Sequence, residues 1–201
     1  MKTKLLALAL GLGGALAHAD TTNWRFYGMA GTGFGGESIL KGGYTDGSTW
    51  NVKTGLGLLY KVGMDYRVAP KFTVQGTLGR QRTATNASDA ELALTTNSAE
   101  LMGFYDMAPS WRLGAGVRVL TLAEVTGTGL ATGLPVVGRY ESEPGAVLEL
   151  QYVLDSTPPK KGNDPGQFGI SLRYVSETLK PVAGGASKNG DHSELGLFLY
   201  Y

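Results

Sequence analysis

Beyond about residue 24 the chain alternates apolar and polar residues with period two, in segments of about ten residues, the length of a membrane-crossing strand. In residues 111–121, Trp111, Leu113, Ala115, Val117 and Val119 share one side, while Arg112, Gly114, Gly116 and Arg118 share the other. Successive side chains of a strand point to opposite faces. One face is therefore apolar throughout, and the other carries glycine and full charges. Residues 146–154 repeat the pattern, with Leu148, Leu150, Tyr152 and Leu154 against Glu149 and Gln151. Residues 55–67, 72–78, 99–107, 167–177 and 193–201 do the same, with Met102 and Phe104 as apolar exceptions on a polar face.

With a first segment near 24–37, the pattern predicts eight strands. Short links at 68–71, 108–110 and 156–166 alternate with polar or Gly-rich stretches near 38–52, 83–98, 123–144 and 179–191, read as long loops. Short turns at one end and long loops at the other fit an all-β, eight-stranded antiparallel up-and-down transmembrane barrel. Trp24, Tyr66, Phe72, Trp111, Tyr152, Phe168 and Tyr201 all lie near the short-turn end, as an interfacial aromatic girdle would. Phe34, Trp50 and Tyr140 are candidates for an upper girdle. A soluble sandwich or lipocalin-like barrel would also alternate, with the faces exchanged. The glycine-rich charged face and the clustered aromatics favour the membrane.

The first residues set the compartment. Lys2 and Lys4 precede a short apolar run that ends in Ala17-His18-Ala19, the form of a secretory signal peptide cut after Ala19. The expected domains are thus residues 1–19, signal, and 20–201, barrel. Of the 18 Lys+Arg, two leave with the signal, so 16 remain against 17 Asp+Glu. That balance gives no nucleic-acid footprint. The chain has no cysteine, which removes disulfides and thiolate metal sites. No cofactor is expected.

The last eight residues, "ELGLFLYY", are similar to the C-terminal signal read by the outer-membrane assembly machinery, with Glu194, Gly196, Leu199 and Tyr201 in its four places. In size, alternation and ending the chain resembles the small eight-stranded outer-membrane barrels of Gram-negative bacteria, the group of OmpA transmembrane domain, OmpX and OmpW. The resemblance implies a monomeric protein of the cell outer membrane, in contact with its lipids, its lipopolysaccharide and that machinery. No motif selects a subfamily.

The alternation turns Arg25, Lys61, Asp65, Glu100, Asp106, Arg112, Arg118, Glu149, Arg173, Glu177 and Glu194 inward. Eight strands enclose a space that side chains can just fill, and charges held there must pair. A plugged lumen is the favoured reading; a gated narrow pore is the other. Some barrels of this group act on lipid A through His, Ser and an acid. His192 is the one histidine after the signal, in "DHSE", but Asp191 and Ser193 fall on the opposite face from it. No catalytic residue is assigned. Arg80 and Arg82 end the third strand on its outer face and are candidates for lipopolysaccharide phosphate, which suits arginine.

Residues 31–36, "GTGFGG", fit the G-x-G-x-x-G fingerprint of dinucleotide loops. No helix follows, so the context that the fingerprint requires is missing. The glycines are read as a site of sharp curvature, with Phe34 covering bare backbone. Three functions remain in view: a non-enzymatic membrane protein with a structural or surface-interaction role, a narrow passage for small or hydrophobic solutes, and a lipid A-modifying enzyme.

Overall fold

The computed structural model describes residues 23–43, 49–87, 90–129, 131–134, 136–154 and 167–201. The signal segment, its cleavage after Ala19 and the link at 156–166 lie outside these. Thirteen β segments follow in order: β1 (Trp24–Gly35), β2 (Ser38–Gly43), β3 (Thr49–Lys53), β4 (Gly57–Ala69), β5 (Phe72–Ala87), β6 (Ala90–Ala108), β7 (Trp111–Gly129), β8 (Gly138–Ser142), β9 (Gly145–Val153), β10 (Gln167–Ser176), β11 (Thr178–Pro181), β12 (Lys188–Asn189) and β13 (His192–Tyr200).

Eight of them close a ring, β1-β4-β5-β6-β7-β9-β10-β13, every neighbour antiparallel, with β13 returning to β1 from Tyr27↔Tyr200 to Gly35↔His192. Closure removes the unpaired strand edges that lipid could not satisfy. The outer wall is apolar: Leu58 is 76% and Leu197 65% exposed, within a band that continues through Leu78, Leu101, Val117, Leu148 and Ile170. A continuous apolar girdle of this kind is stable only against lipid. Trp24 packs on Tyr66, Phe72 on Tyr105, and Trp111 on Tyr152, with ring centroids 4.6–5.1 Å apart, at the short-turn end.

The segments read as long loops are largely strand. β5 and β6 stay paired from Phe72↔Tyr105 to Ala87↔Ala90, through 83–87 and 90–98. β7 runs on to Gly129, β2 and β3 form a hairpin within 38–52, and β11 pairs with β8 and β12. Their outward positions carry Arg82 and Thr95 rather than large apolar residues, so the membrane-type alternation fades while the ladder continues. A second, conventional core fills this upper part: Ile39, Val52, Leu92, Leu94, Ala123, Val125, Ala131, Tyr140 and Leu179 are buried together. Tyr140 therefore belongs to no lipid-facing girdle; it is 8% exposed and its hydroxyl donates to the Val136 carbonyl at 3.0 Å. Phe34 is exposed, and the Trp50 side chain lies outside what is described.

A bulge makes the change of polarity possible. Ser98 pairs with Leu120 but Asn97 with Leu122, leaving Thr121 as an extra residue on β7. One inserted residue exchanges the two faces of the strand beyond it. Arg118 points into the lumen below the bulge, and Ala123 and Val125 point into the upper core above it.

Candidate functional site

The lumen holds two groups of charged side chains. The upper group contains three cations, Lys61, Arg118 and Arg173, and four carboxylates, Glu100, Glu149, Glu177 and Glu194, each between 0% and 6% exposed. They come from six strands and the residue that follows β10, set by the inward parity of each strand. Lys61 Nζ lies 2.7 Å from Glu100 and 2.9 Å from Glu194. Arg118 reaches Glu177 at 3.1 Å, Glu194 at 3.0 Å and Glu100 at 3.4 Å. Arg173 reaches Glu100 at 2.6 Å, Glu194 at 3.2 Å and Glu149 at 3.5 Å. Every cation thus faces at least two carboxylates, which is what charges deprived of water require.

The lower group lies near the short turns. Arg25 donates to Asp65 and to Gln167, both at 2.8 Å. Arg112 bridges Asp106 at 3.0 Å and Asp65 at 3.3 Å, and donates to the Tyr200 hydroxyl. Arg25 and Asp106 stand at the mouth, with 24% and 27% of their side chains exposed. Between and around the charges, Tyr27, Met29, Phe198 and Tyr200 pack on one side, and Met102, Phe104, Val147 and Val175 on another.

Neutral partners complete the lower group and join it to Glu149 of the upper one. Gln75 donates to Asp65 at 2.7 Å, the Tyr200 hydroxyl donates to Gln151 at 2.8 Å, and Gln151 donates to Glu149 at 2.7 Å. Ser171 also donates to Glu149, at 2.7 Å. An expectation framed on charges alone omits them, although Gln75 and Gln151 share the inward parity. Tyr200 is reached by the same parity, one residue before outward Tyr201.

The upper group is closed from above. The turn after β3 brings Thr54 and Gly55 into the ring, both buried, with Gly55 against His192. Gln81 donates to the Gly55 carbonyl at 2.9 Å and fills the space over Gly33. Contrary to the reading from sequence, Phe34 does not cover that backbone, because its side chain lies on the opposite face of β1 from Gly33. The turn is tied to the β12 region: Thr54 Oγ1 donates to the Asn189 carbonyl at 2.9 Å, and Lys188 and the Asn189 amide each donate to the Glu37 carboxylate at 2.9 Å. The Lys188 ammonium, then the Asn189 amide, holds the Glu37 carboxyl below its ordinary range.

His192 is 2% exposed, with Nδ1 2.6 Å from the Gly190 carbonyl and Nε2 3.3 Å from Glu194. Asp191 instead accepts from Ser176 at 3.0 Å and from the Glu177 amide at 2.9 Å. Among the described residues no serine or threonine hydroxyl is hydrogen-bonded to the imidazole, and a nucleophile needs that reach. Among them also, no group of three or more His, Cys, Asp or Glu could hold a metal ion. Arg80 and Arg82 stand exposed on β5, and Arg82 pairs with Glu91 at 2.7 Å. Of the four C-terminal positions, Glu194 and Gly196 face the lumen, while Leu199 and Tyr201 face outward at 51% and 81% exposure.

No family model and no curated protein matches the sequence. Among solved structures, the chain is similar to Ail, the attachment invasion locus protein of Yersinia pestis, with 10% identity over 89% of this chain and 97% of that one and a TM-score of 0.47. Neisserial surface protein A gives 14% identity over 88% and 94%, with a TM-score of 0.47. The outer membrane protein OprG of Pseudomonas aeruginosa gives 11% over 89% and 95%, with a TM-score of 0.39. What those proteins bind is a property of those proteins. The fold rests on the chain's own geometry: the closed ring of eight strands, the apolar outer wall and the charged lumen make it an antiparallel up-and-down transmembrane β-barrel.

Proposed function

We propose that the protein is a non-enzymatic integral outer-membrane barrel whose lumen is plugged and whose working surface is the strand-built region above the membrane. The ion-paired upper group under the Gly55 turn carries this reading. Its seven charged side chains are almost fully buried and mutually paired across the ring, which leaves a narrow eight-stranded interior little room for a solute. The upper region has its own apolar core and presents its surface to the outside. Planar lipid bilayers test the plug: the purified barrel is expected to give no single-channel steps, and reproducible conductance would replace this reading with the pore.

Membrane placement has its own test. The folded barrel should fractionate with the outer membrane and migrate differently on gels before and after boiling; a soluble periplasmic protein without that shift would remove the reading. We further propose that Arg80 and Arg82, at the upper edge of the apolar band, meet lipopolysaccharide phosphates. Arg80→Gln together with Arg82→Gln should weaken retention of lipopolysaccharide by the purified barrel while leaving its folded gel mobility unchanged. Overexpression should leave the lipid A mass spectrum unaltered, since no nucleophile stands beside His192 among the described residues.

A further inference from the structure

At the short-turn end the lumen opens into a cavity of about 360 Å³, toward the small end of the range for ligand pockets, about 300–1,000 Å³. Among the described residues four cations line it, Arg25, Arg67, Lys71 and Arg112, against one carboxylate, that of Asp106. Arg25 and Arg112 are already committed, sharing Asp65 and Asp106 between them. Those two arginines and two aspartates balance. Among the described residues Arg67 and Lys71, exposed at the rim, have no carboxylate partner, and Lys71 Nζ lies 6.0 Å from the centroid of the Tyr105 ring. The rest of its wall includes apolar Pro70, Pro109 and Val153. Outside the same end run the Trp24–Tyr66, Phe72–Tyr105 and Trp111–Tyr152 pairs. Such rings sit where lipid tails meet headgroups, so the cavity lies inside the barrel at headgroup height.

We propose that this mouth binds a phosphate group carried on a small organic stem. Arg67 offers a planar fork to two phosphate oxygens, and Lys71 a point charge to the third. Pro70, Pro109 and Val153 take the stem. The phosphate comes from an anionic phospholipid headgroup or from a soluble phosphate ester. The first source rests on the membrane placement above; the second does not.

The test is titration calorimetry on the mature barrel in a neutral maltoside detergent, with two probes: short-chain phosphatidylglycerol below its micelle concentration, and glycerol 3-phosphate. The double variant Arg67→Gln/Lys71→Gln is the comparison, its folding checked by gel mobility. The expected result is saturable binding of at least one probe, weakened about tenfold or more in the double variant. Binding of the lipid alone assigns the site to a headgroup; binding of both assigns it to phosphate esters in general. No saturable binding of either probe, or binding the double variant leaves unchanged, overturns the proposal. A failure of the membrane placement would appear instead in fractionation, with the micelle titration unaffected.

Discussion

Gly55 rests directly on His192, so closely that a Cβ added to Gly55 would overlap the histidine Cβ itself. The contact joins the turn after β3 to the first residue of β13, two parts of the chain far apart in sequence. Gly55 is not among the residues with positive φ, so sterics alone demand glycine there. Gly55→Ala should lower the stability of the refolded barrel by about 1–3 kcal/mol, the usual cost of overpacking. His192→Ala should not relieve it, because the colliding atom remains, whereas His192→Gly should in part. Urea unfolding in vesicles of the parent, Gly55→Ala and the two double variants reads this; a Gly55→Ala barrel as stable as the parent would contradict the contact.

Gly33 stands under the same turn, where a Cβ would run into the Gly55 carbonyl and the Gln81 amide. Gly33→Val should therefore block closure of β1 against β4, seen as loss of the heat-modifiable form on refolding. Gln81→Ala alone should not rescue it, since the backbone carbonyl still occupies the space.

Arg173 is the cation that faces Glu100, Glu149 and Glu194 together. Arg173→Met should cost about 3–5 kcal/mol, because removing one partner leaves buried carboxylates uncompensated. The unfolding midpoint measures it. Arg67→Met, at the exposed rim, serves as the control and should stay within about 0.5 kcal/mol of the parent.

The Glu37 clamp gives a pH effect with a definite sign. Its carboxyl titrates lower in the folded chain than its ordinary value of 4.5, so the clamp's contribution is present above that value and is lost as pH falls through the folded value. Hydrogen exchange at the Asn189 amide, relative to the unfolded chain at the same pH, should stay slow at neutral pH and quicken as pH falls below 4.5 through the folded value, earlier at high salt, because the pair is exposed and screened. Glu37→Gln should quicken it already at neutral pH. An amide equally protected in both proteins at neutral pH would refute the clamp.

Period-two alternation is a local property, and it made legible the eight membrane strands, their inward charges and the aromatic end. It did not reach the strand above the membrane in 83–98 and 123–129, where the outer face no longer needs large apolar residues and the contrast between faces fades. Nor could it register the extra residue at Thr121, which is defined only by the partner strand: Ser98 meets Leu120 and Asn97 meets Leu122. The glycines of "GTGFGG" were readable as a site of curvature with Phe34 over bare backbone, but what fills the space over Gly33 is Gln81 and the Gly55 turn. Residue parity alone divides each strand into two faces, and the glycine-rich charged face together with the clustered aromatics marks the other as the one that meets lipid. The pairing of each cation with its carboxylates, the closure of the upper group by the β3 turn and the meeting of Arg67 and Lys71 at one mouth emerge from the assembled ring. Those depend on strand stagger and ring closure, which join residues that no local pattern relates.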